Sequence, residues 1–82
     1  MYITYILYSN RIDRYYTGHT ENLDRRLEEH NRGKTKVIAR GIPWIVIYNK
    51  EFDTRSEAMR HEKFIKKRGA KRFLNDKKTQ LG

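Results

Sequence analysis

The sequence contains no cysteine. Disulfides and cysteine-ligated zinc are therefore excluded, and stability has to come from ordinary packing. The absence fits a reducing compartment, and the cytoplasm is the expected location. Long apolar runs are missing too: nothing approaches the roughly 18 residues that a membrane span needs. The opening stretch, Met1 to Tyr8, is apolar but interrupted by Thr4. It has no basic lead and no small-residue cleavage site, so it does not read as a signal peptide. Acidic residues are in deficit, with 10 Asp and Glu against 19 Lys and Arg, a formal charge of +9. Such a surface attracts polyanions, nucleic acid first and anionic membrane second. The membrane reading needs a basic amphipathic helix with a bulky apolar face, and neither main helix predicted below has one. Charge thus names a class of partner and no chemistry.

At 82 residues the chain is expected to form one domain with a modest core. Tyr2 to Tyr8 reads as a strand rich in β-branched and aromatic residues, apolar on both faces and therefore central in its sheet. Asn10 to Asp13 is a polar connection without a glycine. Arg14 to Thr17 reads as a second short strand, closing a hairpin. Gly18 is expected to break that strand and Thr20 to cap a helix carrying Leu23, Leu27 and His30 on one face. Gly33 is the expected stop. Lys34 to Pro43 reads as a basic loop, and Trp44 to Tyr48 as the third strand. Thr54-Arg55-Ser56-Glu57 is a capping box opening a helix to about Lys67. Ala70 to Asp76 reads as a last short helix, with residues 77–82 frayed. The order β-β-α-β-α(-α) predicts an α+β fold, a small antiparallel three-stranded sheet flanked by helices.

Several polar residues sit where the helix patterns ask for apolar ones. Arg26 and His30 lie on or beside the face of Leu23 and Leu27, and Glu62 falls between Ala58 and Ile65 on the later helix. A carboxylate on a packing face is costly unless a cation, a metal or several donors meet it. Each has an ordinary explanation: Glu62 at a stripe edge paired with Lys66, Arg26 snorkelling over the core edge, His30 near a helix end. The three histidines show no metal-ligand spacing, and His19 and His61 carry the least signal. Five of the six tyrosines lie in the first sixteen residues. Such residues are mostly sheet-face side chains with a wet hydroxyl; stacking on bases and acid–base chemistry are the rarer roles.

Read in order, these residues resemble the GIY-YIG nuclease superfamily, in particular its small single-domain branch, and are similar to the N-terminal nuclease domain of the ABC excinuclease. Ile3-Thr4-Tyr5 stands where that family has Gly-Ile-Tyr, and Tyr16-Thr17-Gly18 where it has Tyr-Ile-Gly. Arg26 and His30 fall at the family's arginine and histidine. Glu62 falls at its metal-binding glutamate, and Pro43-Trp44 matches the small-branch pattern. The glycine and isoleucine of the first motif are replaced by Ile3 and Thr4. A late asparagine found in some members has its nearest counterpart in Asn75.

The resemblance implies a metal-dependent endonuclease hydrolysing phosphodiester bonds, in DNA rather than RNA, with a place in repair or recombination. It implies one Mg²⁺ or Mn²⁺ at Glu62, Arg26 facing the phosphate, and Tyr5 as the base with Tyr16 positioning, two roles open to exchange. His30 would orient a tyrosine hydroxyl or relay a proton. Lys34, Lys36, Arg40, Lys66, Lys67 and Arg68 are expected to grip the nucleic-acid backbone, which carries no sequence information. Two other classes stay open: a nucleic-acid-binding module of the same fold without catalysis, and a basic protein-interaction domain. No protein partner is identifiable from the sequence.

Overall fold

The protein is described from a computed structural model covering residues 1–81. Its elements are β1 (Tyr2–Ser9), β2 (Arg14–Thr20), α1 (Leu23–Asn31), α2 (Lys36–Arg40), β3 (Trp44–Phe52), α3 (Arg55–Arg68) and α4 (Ala70–Leu81). The three strands form one antiparallel sheet in the order β2-β1-β3, so the α+β architecture expected from the sequence is the one adopted. The central place of β1 follows from its composition: Thr4, Tyr5, Ile6 and Leu7 are all buried, which only a strand covered on both faces permits.

Strand alternation splits the core in two. Tyr5 and Leu7 face one side and pack with Trp44 beneath Leu23 and Leu27 of α1 and Ile38 of α2. Ile6 faces the other side and packs with Ile65 of α3 and Phe73 of α4. On that second side the buried Thr4 hydroxyl donates to the Ala58 carbonyl at 2.7 Å, tying α3 to the central strand. The hairpin turn lacks a glycine because Asp13 takes the left-handed conformation itself, at φ 51°. Aspartate tolerates that region better than most residues, and here its carboxylate accepts a bond from the Tyr8 hydroxyl at 2.8 Å.

Several boundaries differ from expectation. Gly18 does not break β2; it pairs with Tyr5 inside the strand, which continues to Thr20 opposite Ile3. Thr20 is consequently still in the sheet, and Asn22 caps α1 instead, accepting from the Arg25 N–H. The expected loop from Lys34 to Pro43 contains α2, capped by Thr35 accepting from the Ile38 N–H. β3 runs beyond Tyr48 to Phe52 because the full length of β1, back to Tyr2, is available as a partner. α4 likewise runs past Asp76 to Leu81, through most of the stretch expected to fray, while Gly82 lies outside the described residues. Thr54 caps α3 as read, its hydroxyl oxygen accepting from the Glu57 N–H, but the Glu57 carboxylate accepts from the Thr54 hydroxyl at 2.9 Å and not from the Thr54 backbone N–H. No helix among the described residues is long and apolar enough to cross a membrane.

Candidate active site

Tyr5 and Tyr16 lie on the same face of the hairpin. Tyr5 is paired with Gly18 and Leu7 with Tyr16, so the two tyrosines are diagonal neighbours, and their rings stack at 6.5 Å. They sit on the α1 side of the sheet. Glu62 belongs to α3, which covers the opposite side, and the two are brought together only at the free edge of β2. Gly18 makes this possible. A Cβ there would lie 2.7 Å from the Tyr5 hydroxyl oxygen, so the Tyr5 side chain reaches outward over the one backbone position of β2 that carries no side chain. His19, next along the strand, points to the α3 side and donates from Nδ1 to Glu62 Oε1 at 2.6 Å.

The result is a cavity of about 190 Å³ lined by Tyr5, Tyr16, Arg26 and Glu62 together with Gly18, His19 and Lys66. Glu62 is held from two sides, with Lys66 Nζ on Oε2 at 2.7 Å as well as His19 on Oε1. Burial pushes its carboxyl up, but the hydrogen bonds and charges of Lys66 and His19 outweigh it and hold the group ionised below its ordinary range. Burial pushes the Tyr5 phenol well above its ordinary value, and the neighbouring Tyr16 adds to this; the Arg26 guanidinium beside it pulls the other way. Tyr5 is therefore a protonated donor at neutral pH in the protein alone.

Arg26 and His30 differ from the surface charges around them. The Arg26 Nε is buried without a hydrogen-bond partner, 3.3 Å from Glu29 Oε1 but off hydrogen-bond geometry. His30 is 3 % exposed and donates from Nδ1 to the Arg26 carbonyl at 3.1 Å. That bond places the proton on Nδ1, which leaves Nε2 of the neutral ring as an acceptor, and Nε2 too is buried without a partner. Burial lowers the His30 pKa, so the neutral form is the stable one. Buried polar atoms are nearly always satisfied, and two orphans one turn apart on α1 are exceptional. His30 does not line the cavity and bonds no tyrosine hydroxyl; it meets the Tyr16 ring edge-on at 4.4 Å.

Four of the five residues singled out from the sequence thus line one cavity, and the fifth stands behind one of them. His19 was missed. Its position on the strand carries the signal, but only once β2 is known to continue past Gly18. Lys66 was read as a partner of Glu62, and it is. Asn75 lies on α4 and is not among the residues lining the cavity. Lys34, Lys36, Arg40, Lys67 and Arg68 are all exposed and outside it. Arg68 is engaged with the Asp76 carboxylate through two bonds of 2.8 and 2.9 Å.

A small α+β domain that gathers two tyrosines, an arginine and a single carboxylate at one sheet edge has the make-up of a nuclease domain. The chain matches the GIY-YIG catalytic domain over residues 1–77, and it belongs to that family. It is similar to a UPF0213 protein of Halobacterium salinarum, 45 % identical over 53 residues that cover 63 % of this chain and 69 % of the relative. A UPF0213 protein of Oceanobacillus iheyensis is 48 % identical over 52 residues, 62 % of this chain and 60 % of the relative. One of Haloquadratum walsbyi is 39 % identical over 67 residues, 80 % and 70 % of the two chains. Those names assign no substrate to the relatives. No solved structure matches the chain.

Proposed function

We propose that this domain hydrolyses phosphodiester bonds in DNA as a divalent-metal-dependent endonuclease acting in repair or recombination. The observation that carries the proposal is the convergence of Tyr5, Tyr16, Arg26 and Glu62 on one cavity from four separate elements.

The donor set fits a particular kind of ion. Glu62 is the one acidic side chain among the residues lining the cavity, and no group of three or more histidine or acidic side chains is placed to hold a metal among the described residues. Zinc asks for a fuller set of protein ligands. Magnesium keeps several waters and takes one or two carboxylates, and manganese shares its preference for oxygen. One Mg²⁺ or Mn²⁺ at Glu62 would supply Lewis-acid stabilisation of the departing oxygen. The chain's own residues do the rest. Arg26 presents its guanidinium fork to two phosphoryl oxygens, where charge gathers in the transition state. Tyr5, protonated, donates to the phosphate or to the attacking water, and takes a proton only when added positive charge in the cavity offsets its burial. Tyr16 at the mouth positions the water. His30 fixes the Tyr16 ring from behind and keeps the backbone of Arg26 in place.

Incubation of plasmid, branched and single-stranded DNA with Mg²⁺ or Mn²⁺ tests this. The wild type cleaves at least one substrate, and Glu62→Ala lowers the rate about 1,000-fold, the scale of losing a principal electrostatic stabiliser. Equal cleavage by the two proteins, or none by the wild type, overturns the reading. The second reading, a binding module without catalysis, is favoured by one fact: His19 and Lys66 occupy both oxygens of Glu62, the one carboxylate among the described residues lining the cavity. It predicts salt-sensitive binding to duplex DNA with no cleavage in any metal.

A further inference from the structure

The cavity at the β2 edge does not stand alone. A larger concavity of about 730 Å³ adjoins it and shares Tyr16, Thr17 and Lys66 with it. A smaller one of about 170 Å³ adjoins it on the other side and shares His19 and Arg26. The three follow one another along a single strand: residues 14 to 17 of β2 line the first, 16 to 19 the active-site cavity, and 19 and 20 the last. From Arg14 to Thr20 the strand advances roughly 20 Å.

Both outer concavities are basic and sparingly neutralised. The larger is lined by Arg14, Lys71 and Arg72 as well as Lys66 and Arg68, against one carboxylate, Asp13. The smaller is lined by Arg25, Arg26 and Arg55, against Glu21 alone. Arg14, Arg25, Lys71 and Arg72 are exposed and form no ion pair among the described residues. Arg55 meets Glu21 only at 3.7 Å, with both side chains more than half exposed, an arrangement worth little energetically. In contrast, Lys34 and Lys36 line none of the three concavities.

We propose that one nucleic-acid strand lies along the β2 edge, with its sugar-phosphate backbone held in both outer concavities and the reacting phosphate between them. Arg25 and Arg55 bind a phosphate on one side of the cut, and Arg14, Lys71 and Arg72 bind phosphates on the other. This rests on the nuclease reading for the identity of the central cavity, and it replaces the α2-region lysines with a different set of backbone contacts. Guanidinium and ammonium groups at both ends recognise phosphate and not base edges, so the track positions a strand without reading its sequence.

The test separates the track from catalysis by measuring binding without metal. Fluorescence anisotropy of a labelled oligonucleotide is followed with Glu62→Gln protein, which is expected to lose cleavage, at several salt concentrations. The probe set carries one neutral methylphosphonate linkage, moved a position at a time. Three further variants are made in that background: Arg25→Ala with Arg55→Ala, Lys71→Ala with Arg72→Ala, and Lys34→Ala with Lys36→Ala. The first two pairs are expected to weaken binding about tenfold or more, the scale of losing charge-assisted hydrogen bonds. Each should also flatten the salt dependence by about 0.7 to 0.9 log units per lost contact. Each should abolish sensitivity to methylphosphonates at its own positions, and the two sets of positions should not overlap. The Lys34 and Lys36 pair should bind like its parent. The track is overturned if both outer pairs bind like the parent, if their sensitive positions coincide, or if the Lys34 and Lys36 pair shows the largest loss. A wild type that fails to cleave while this binding pattern holds defeats the nuclease reading and leaves the track standing.

Discussion

The two faces of the sheet each hold a histidine among aromatic rings, His30 buried and His61 half-buried, and the two clusters have been completed differently. On the α3–α4 side, His61 Nε2 and the Tyr48 hydroxyl share a hydrogen bond of 2.8 Å, and both rings pack on Phe73. On the α1–α2 side, His30 packs on Tyr16 and Trp44, yet its Nε2 has no partner, and neither has the Nε of Arg26. Burial lowers the pKa of both histidines, so environment alone does not tell them apart. The difference is polar completion. A satisfied pair strengthens a core, whereas a buried orphan costs about 1 to 3 kcal/mol and survives only where something else offsets it. Only the unsatisfied cluster borders the cavity of Tyr5 and Glu62.

The sharpest way to break that contrast is at Gly18. An alanine Cβ would meet the Tyr5 ring carbon bearing the hydroxyl at 2.9 Å as well as the oxygen itself. Gly18→Ala is expected to displace the Tyr5 hydroxyl and lower kcat/KM about 100-fold, the effect of a misplacement near 1 Å. Unfolding experiments should show a loss of about 1 to 3 kcal/mol from overpacking. Adding Tyr5→Phe should restore part of the stability and none of the activity. Wild-type cleavage by the single variant would mean that the hydroxyl's place over Gly18 is irrelevant to function. Next in size is His30→Ala, expected to lower kcat up to about 100-fold by loosening Tyr16 and Arg26. His61→Ala should leave kcat within about twofold; equal losses from the two variants would erase the distinction between the clusters.

The same contrast explains what could be read from the sequence. Arg26, His30 and Glu62 stood out because helix periodicity asks for apolar side chains where they lie, and a broken pattern is visible without coordinates. The central place of β1 was visible in its two apolar faces. The extent of β2 was not: a glycine inside a strand looks like its end, and only the close approach of Tyr5 explains why it is there. Missing that extension hid His19, and it moved the cap of α1 from Asn22 to Thr20. The face occupied by α3 was equally invisible, because periodicity states that a helix packs and not on which side of a sheet. His61 carried little signal in the sequence, since its partner Tyr48 lies thirteen residues away on another element and no local pattern pairs them.

A smaller effect is expected at the completed cluster. Tyr48→Phe removes the hydroxyl and leaves His61 Nε2 facing a ring edge. Chemical denaturation should show a loss of about 1 to 2 kcal/mol, the scale of one hydrogen bond plus one orphaned ring nitrogen. Cleavage should be unchanged. A large loss of activity with little loss of stability would show that this face also takes part in the chemistry.

The smallest effect concerns protons. His30 and His61 both have folded pKa values below the ordinary 6.5, because burial disfavours the charged ring. Between each folded value and 6.5 the unfolded chain binds more protons than the folded one, so stability rises with pH across that window. The contribution is complete above about 6.5 and is lost as pH falls through the folded values. Glu62, depressed from 4.5, acts in the same sense but only at lower pH. A series of unfolding curves from about pH 7.5 down to about 5 should therefore show stability falling on acidification, and the slope should become shallower in His61→Phe and again in His30→Gln. At His61 the Lys50 and Lys77 charges add to burial, whereas at His30 the Arg26 carbonyl bond opposes it while the Arg26 and Lys34 charges add to it. A wild-type curve that rises on acidification across this window would contradict both burials at once.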